Sequence, residues 1–272
     1  MPKQPPMHIG FIGSGRMASA LLEGILRADV AKAADIFVTD RVPAAAEDLE
    51  KRTGARARAT NAEVAKASNI LILCVKPVDV PEALKEAGDL TGKLLVSIAA
   101  GVPLRRLRVN APGKPRLIRV MPNTPVLVGH GAAAYAAGDG VTDADLAVVD
   151  RIFGATGVVV RVKEELLNAV TGLSGSGPGF VYTVIESLAD GGVLMGLNRE
   201  TALRLAAQTV LGAAAMVLET GLHPAQLRDH VTSPGGTTIA GLEALEKAGL
   251  RVAMIAAVRA ATERSAQLGA AD

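Results

Sequence analysis

Between Ile9 and Val162 the hydrophobic positions fall into short continuous runs separated by segments of helical spacing such as Ala44 to Lys51. The runs are HIGFIG at 8–13, IFVT at 36–39, NILILCV at 69–75, LLVSIAA at 94–100, RLIRVM at 116–121 and VVVRV at 158–162. Strands that stay apolar through successive positions, instead of alternating with polar ones, are covered on both faces. The pattern therefore predicts parallel strands joined by crossover helices in a doubly wound α/β sheet. After Val162 the strand runs stop, and later segments read at helical spacing with Gly, Pro or Ser between them. Leu203, Ala206, Ala207, Val210, Leu211, Ala214 and Met216 to Leu218 clothe one helix, predicted over Thr201 to Leu218, in apolar side chains almost all round. Such a helix needs burial on every side, which an all-helical half of about a hundred residues cannot provide for several helices at once. Part of that surface is expected to meet a second copy of the chain. The division falls into an α/β domain over 1–162 and an all-α domain over 163–272.

Composition narrows the chemistry. The chain has 272 residues, 49% of them hydrophobic and 21% charged, which describes an ordinary folded protein of two domains. With two Tyr, four Phe and no Trp, it has almost no aromatic platform on which bases could stack. The net charge of +2 is spread along the chain, and Arg105, Arg106 and Arg108 suit a solvated helix face. Nucleic acid is not expected as a partner. The single cysteine, Cys74, lies in an apolar run without a CxxC partner, so neither a disulfide nor a metal-ligand set is predicted, and a reducing compartment is implied. No apolar run approaches the ~18 residues of a membrane span, and MPKQPP is not followed by a signal-peptide core. The expected location is the cytoplasm, with no membrane association.

The first strand runs into Gly13, Ser14, Gly15, Arg16, Met17 and Ala18, after which Leu21, Leu22, Ile25 and Leu26 mark a helix. This is GxGxxA in a strand-turn-helix context, the fingerprint of a Rossmann-like dinucleotide site. Gly13 permits the tight turn, Gly15 lets the backbone approach a pyrophosphate, and Ala18 lets the helix pack closely on the sheet. The second strand ends at Thr39, followed by Asp40 and Arg41. A carboxylate there favours the free 2′-hydroxyl of NAD, whereas an arginine pairs with the 2′-phosphate of NADP, and the letters leave both open. Val75, Lys76 and Pro77 lie at the sheet's carboxyl edge, where Lys76 is either a cofactor contact or a surface lysine closing its strand. Towards the C-terminus, Thr232, Ser233, Pro234, Gly235, Gly236, Thr237 and Thr238 precede a helical run. Two glycines and several hydroxyls at a helix start make an anion site of free N–H groups and the positive dipole end.

The chain as a whole resembles pyrroline-5-carboxylate reductase, from Ile9 to about Leu268. The resemblance rests on GFIGSGRMA (10–18), CVKP (74–77), SIAAGV (97–102), MPNTP (121–125), VTGLSGSGPGF (170–180), ADGGVLMGL (189–197) and VTSPGGTTIAGL (231–242). It implies a Rossmann-like N-terminal domain and an all-helical C-terminal domain that dimerises by interlocking helices, with rings of dimers also found in the family. It implies a nicotinamide coenzyme as hydride donor and an imino-acid substrate, pyrroline-5-carboxylate, reduced to proline; because Arg41 can reach a phosphate, NADPH is the expected coenzyme, with NADH a usable second. Carried over by position, the resemblance puts Gly13, Ser14, Gly15, Arg16 and Met17 on the pyrophosphate. It puts Val75, Lys76 and Pro77, with Ala99, Ala100 and Gly101, beside the nicotinamide, with Asn123 nearby and Asn61 at the adenosine ribose. The substrate carboxylate would rest on Ser233, Gly235, Gly236 and Thr237, and Thr238 would serve catalysis beside the ring nitrogen. Two departures from the family pattern stand out: Asp40 beside Arg41 replaces small hydroxyl residues, and Gly179 stands where Ala is usual.

The chemistry explains an absence. Hydroxyacid dehydrogenases of similar architecture carry a catalytic lysine after their interdomain glycines, and GLSGSGPGFVYTVIESL has none. A cyclic imine arrives protonated and needs only positioning, an anchor for its carboxylate and a hydrogen bond to nitrogen. His8, His130, His223 and His230 are therefore not required as acids. The alternatives on the same fold are a β-hydroxyacid dehydrogenase, another imine reductase, or a non-catalytic NAD(P) sensor. The missing lysine speaks against the first, and the second anion site speaks against the sensor.

Overall fold

The computed structural model describes residues 7–270. Strands β1 (Ile9–Ile12), β2 (Ile36–Thr39), β3 (Arg56–Ala57), β4 (Ile70–Leu73), β5 (Leu94–Ser97), β6 (Arg116–Met121), β7 (Gly131–Ala137) and β8 (Gly157–Arg161) form one sheet in the order β3-β2-β1-β4-β5-β6-β7-β8. Between them run helices α1 (Arg16–Arg27), α2 (Pro43–Thr53), α3 (Asn61–Ala67), α4 (Val80–Ala87), α5 (Leu104–Asn110) and α6 (Asp143–Gly154). Because successive side chains on a strand point to opposite faces, each apolar run feeds two cores. Ile9 and Phe11 pack with Leu21, Leu22 and Ile25 of α1 and with Ile152 and Phe153 of α6. Ile12, Leu71 and Leu73 pack on the opposite face with Val64 of α3, Leu84 of α4 and Leu107 of α5. Each such large side chain contributes about 1.5–3 kcal/mol on burial. Gly10 is required for the close approach of α3, since a Cβ there would lie 2.4 Å from Ser68 Oγ and 2.6 Å from a Val64 methyl.

Strands β1 to β6 are parallel, as their unbroken apolar runs predict, but the sheet is not parallel throughout. β7 pairs antiparallel with β6, Ile118 opposite Ala137, and β8 pairs parallel with β7. The connection 122–130 is shorter than the dozen or so residues a parallel crossover needs, so the chain can only return beside β6 in the opposite sense. β7 reads GAAAYAA, and alanine gives no strand signal. β8 is an edge strand with Val158 and Val160 about half exposed, so its apolar run does not report burial on both faces.

After β8 come α7 (Leu167–Val170), a π-helical turn at Thr171–Gly175, then α8 (Gly177–Leu194), α9 (Arg199–Thr220), α10 (Pro224–His230), α11 (Thr237–Lys247) and α12 (Leu250–Ala270). Strand structure ends at Arg161, yet the compact units divide later. One unit runs to Gly175 and regains the chain from Ala261, and the other is Ser176–Ala260. The later division has a physical cause: Leu167 is buried against Ala134 and Ala136 of β7, and Ser265 Oγ donates to Asn168 Oδ1 at 2.9 Å. Within the helical unit, α8 and α9 close on the small residues Ala189, Ala202 and Ala206. The rest of α9 is uncovered, with Leu205, Leu211, Met216 and Leu218 between 51% and 72% exposed. By length and composition alone α9 could cross a bilayer, although no continuous apolar run of that length marks it. Its apolar character is carried by alanines as well as by large side chains.

Asp145 ties the antiparallel part of the sheet to its helix. It closes a capping box with Thr142 at the start of α6 and accepts two hydrogen bonds from Arg116 at the start of β6, at 2.8 and 3.0 Å. Burial pushes its carboxyl up, but the bonds from Arg116 and Thr142 together outweigh this and hold it below its ordinary value. A depressed folded pKa stabilises the fold above the unfolded value, about 3.9, and that contribution disappears as pH falls through the folded pKa. Asp145→Asn should cost about 1–3 kcal/mol at neutral pH in a denaturant titration and should flatten the acid limb of stability below about pH 4. An unchanged acid limb would show that this carboxylate does not supply it.

Candidate functional site

The turn from β1 into α1 is built from backbone and one carboxylate. Gly13, at φ +97°, donates its N–H to Thr39 O at 2.9 Å, and a Cβ there would lie 2.8 Å from Cys74 O. Ser14 donates its N–H to Asp40 Oδ2 at 2.7 Å and its hydroxyl to Thr39 O at 3.1 Å. The other Asp40 oxygen accepts Val42 N–H at 2.9 Å, so the tip of β2 holds the glycine turn in place. Gly15 is the N-cap of α1 without a side-chain cap, and nothing lies within 4 Å of where its Cβ would stand. The N–H groups of Gly15, Arg16 and Met17 and the positive end of α1 thus face open space that a Cβ would intrude on. These residues fit a dinucleotide pyrophosphate.

Beside this turn opens a cleft of about 780 Å³. Among the residues predicted to hold a cofactor, Gly13, Gly15, Asp40, Arg41, Asn61, Val75 and Lys76 line it. Arg41 is largely exposed and pairs with Asp79 at 3.0 Å, while Asn61 donates to Glu86 at 2.8 Å and to Ala83 O at 3.3 Å. Cys74 also lines the cleft, and burial pushes its thiol well up, so it stays protonated. Pro77 begins the 3₁₀ turn that leads into α4. Ser14 lies behind the cleft wall, buried, with both of its donors engaged.

Ala99, Ala100 and Gly101 follow β5, and Asn123 follows β6, continuing the row along the same carboxyl edge because β4, β5 and β6 are parallel neighbours. Asn123 is buried and tied to its surroundings: its amide donates to Ser174 O at 3.0 Å, and its oxygen accepts Ala132 N–H at 2.8 Å. Sequence reasoning missed the carboxylates Asp79, Glu82 and Glu86 in the cleft wall. Their signal was present, since Asp79 ends the 3₁₀ turn that Pro77 begins and Glu82 and Glu86 lie on α4 just after it. It also missed Glu164, which accepts Leu104 N–H at 2.7 Å and pairs with the buried Arg119 at 3.4 Å, fastening the start of α5. Burial pulls the Arg119 guanidinium down from its ordinary value, against the pull of Glu164.

In the helical unit, Val231 to Gly236 form the turn between α10 and α11, and Thr237 and Thr238 open α11. Thr232 donates its hydroxyl to Arg228 O at 2.7 Å, Gly235 takes φ +66°, and Gly236 donates its N–H to Ser233 O at 3.0 Å. Gly236 is the N-cap of α11, and no side chain caps that helix. A Cβ on Gly236 would lie 2.2 Å from Ser233 Oγ, so the serine hydroxyl folds back over the glycine. The positive end of an eleven-residue helix, Ser233, Thr237 and Thr238 are thereby gathered on one turn, with no side-chain cap on the helix start. The arrangement suits a carboxylate.

Comparison with known proteins agrees with this geometry. Residues 164–268 match the family model described as pyrroline-5-carboxylate reductase dimerisation, and residues 8–101 match one described as NADP oxidoreductase, coenzyme F420-dependent. The chain is 48% identical to a pyrroline-5-carboxylate reductase of Methanosarcina acetivorans, covering 96% of this chain and 97% of that protein. It is 46% identical to one from Arabidopsis thaliana, covering 96% and 95%. Among solved structures it resembles a pyrroline-5-carboxylate reductase from Coxiella burnetii, with TM-score 0.92, 34% identity, and 97% and 99% of the two chains covered. A pyrroline carboxylate reductase of Plasmodium falciparum with NADP bound superposes with TM-score 0.83 at 35% identity over 97% and 98%.

The two glycines of the β1–α1 turn should respond differently to a methyl group. Gly13→Ala should cost at least about 2 kcal/mol of stability, from the left-handed φ and the clash with Cys74 O. Gly15→Ala should lower the melting temperature by no more than about 3 °C, the cost of a poorer N-cap, yet weaken dinucleotide binding at least ~10-fold. Thermal melts and calorimetric titrations of both variants check the contrast. Undiminished binding by Gly15→Ala would remove this turn from the site.

Proposed function

The chain belongs to the pyrroline-5-carboxylate reductase family, and we infer from this how its own residues reduce L-1-pyrroline-5-carboxylate to L-proline with NAD(P)H, the last step of proline biosynthesis. The observation that carries the assignment of roles is the uncapped, glycine-led start of α11, a carboxylate site in a chain that also has a coenzyme turn. The nicotinamide, when bound, supplies the hydride that adds to C5 of the ring while the electron pair of the carbon-nitrogen double bond moves to nitrogen.

The protein has no proton to move at the carbon. The N–H groups at the start of α11, with Ser233, Gly235, Gly236 and Thr237, hold the substrate carboxylate and so fix the ring. The Thr238 hydroxyl bonds the ring nitrogen and stabilises it as its charge changes. Gly13 to Met17 carry the pyrophosphate, with Ser14 acting through its hold on the turn. Val75 to Pro77 and Ala99 to Gly101 flank the nicotinamide, and Asn123 keeps the neighbouring loop in place. Asp40 already accepts the N–H groups of Ser14 and Val42 but keeps a lone pair on each oxygen for a free 2′-hydroxyl, and Arg41 is the cation nearest a 2′-phosphate. Both coenzymes are therefore used, NADPH through Arg41.

The apolar surface of α9 is covered by a second copy of the chain, giving a homodimer that can further assemble as a ring of dimers. It does not enter a membrane or meet nucleic acid in this reading, and the enzyme works in the cytoplasm, where Cys74 stays reduced. Light scattering should show dimers or multiples of dimers at assay concentration. A compact, fully active monomer would contradict this assembly.

The roles of Thr238 and Ser233 separate in steady-state kinetics. Thr238→Ala leaves the backbone amides intact, so the Michaelis constant for substrate should change little, while turnover falls at least ~10-fold, equivalent to about 1.4 kcal/mol. Ser233→Ala should instead raise the Michaelis constant with a smaller effect on turnover, because a carboxylate contact exists in ground and transition states alike. Wild-type turnover in Thr238→Ala, or loss of coenzyme binding alone in both variants, would take the α11 turn out of the substrate site.

A further inference from the structure

The guanidinium nearest the tip of β2 is already engaged. Arg41 Nη1 lies 3.0 Å from Asp79 Oδ1, and both residues line the coenzyme cleft. The partners are unequal: the Arg41 side chain is 72% exposed, whereas that of Asp79 is 23% exposed and fixed at the N-cap position of α4. The remaining lining is rich in carboxylate, with Asp40, Glu82 and Glu86 against only Lys76 as a further cation. Asp40 is committed to the N–H groups of Ser14 and Val42, and Glu86 to Asn61. No other carboxylate bonds Arg41 among the described contacts.

A 2′-phosphate carries a charge of about −1.5 to −2 near neutrality. To use Arg41 it must draw the guanidinium away from Asp79, and the released carboxylate then stands near the phosphate as a like charge. A free 2′-hydroxyl makes no such demand. We propose that Asp79 is a specificity-determining residue of this cleft: it holds Arg41 in an ion pair that a 2′-phosphate must break, and so weakens NADPH relative to NADH. The proposal rests on the coenzyme assignment above and adds to it a residue at which the preference is set.

Because the pair is largely solvated, the expected effect is moderate. Isothermal titration calorimetry of the full chain with NADPH, NADH and the fragment 2′,5′-ADP tests it directly. Asp79→Asn should bind NADPH and 2′,5′-ADP about three- to tenfold more tightly, with NADH within about twofold of wild type. Asp79→Ser, which removes the charge but keeps a short polar side chain at the start of α4, should give the same shift. In an Arg41→Ala background the gain should shrink by at least about half on a logarithmic scale, because the partner is gone. An unchanged ratio of NADPH to NADH affinity in both Asp79 variants, or a gain undiminished without Arg41, overturns the proposal and leaves the coenzyme assignment standing. A wild-type protein that binds neither NADPH nor NADH overturns both.

Discussion

The fold turns on how the chain gets from β1 to α1 within three residues. Gly13 adopts a left-handed φ that a side chain would resist, its N–H reaches Thr39 O, and Asp40 takes the N–H of Ser14. These contacts lock the ends of β1 and β2 together and aim α1 so that its first turn opens at the sheet's carboxyl edge. Ala18, Leu21, Leu22 and Ile25 then bury α1 in one of the two cores, which keeps that aim rigid. The turn thus offers backbone dipoles held by a well-packed helix, with Arg16 exposed at its first position, a combination that suits an anion.

The same device occurs again in the helical unit, with different supports. There Gly235 and Gly236 make the turn, Thr232 fastens it to α10, and α11 is left without a cap. A glycine N-cap costs only a few tenths of a kcal/mol relative to a capping side chain, and it leaves the first N–H groups of the helix to a partner from outside. Its retention beside three hydroxyl residues makes sense if the missing partner is the substrate carboxylate. The helices around it bury little more than Ala189, Ala202 and Ala206, so this unit draws little stability from its own core. Family membership supplies the missing cover, since residues 164–268 match the dimerisation region of pyrroline-5-carboxylate reductases.

Much of this was legible in the letters. Strands buried on both faces announced themselves as unbroken apolar runs, and GxGxxA and SPGGTT stood where strand and helix patterns gave them meaning. The antiparallel strand β7 was not legible because its alanines carry no pattern, and β3 is only two residues long. Nor could spacing show which way Asp40 faces. Adjacent to Arg41 in sequence, it bonds the glycine turn while Arg41 reaches across to Asp79, 38 residues away. Asn123 was marked through resemblance as a cofactor neighbour, and its side chain is occupied by the backbone of Ser174 and Ala132. Side-chain partnerships between distant loops are set by the closing of the sheet, which local sequence does not encode.

The central claim is a hydride transfer from nicotinamide to the imine carbon of pyrroline-5-carboxylate. The most direct measurement supplies the purified protein with pyrroline-5-carboxylate and a nicotinamide coenzyme carrying deuterium at the transferable C4 position, and locates the label by mass spectrometry and NMR. The account predicts L-proline with one deuterium at C5, formed in equal amount to the coenzyme oxidised. Proline without label at C5, or coenzyme oxidation without proline, would contradict it.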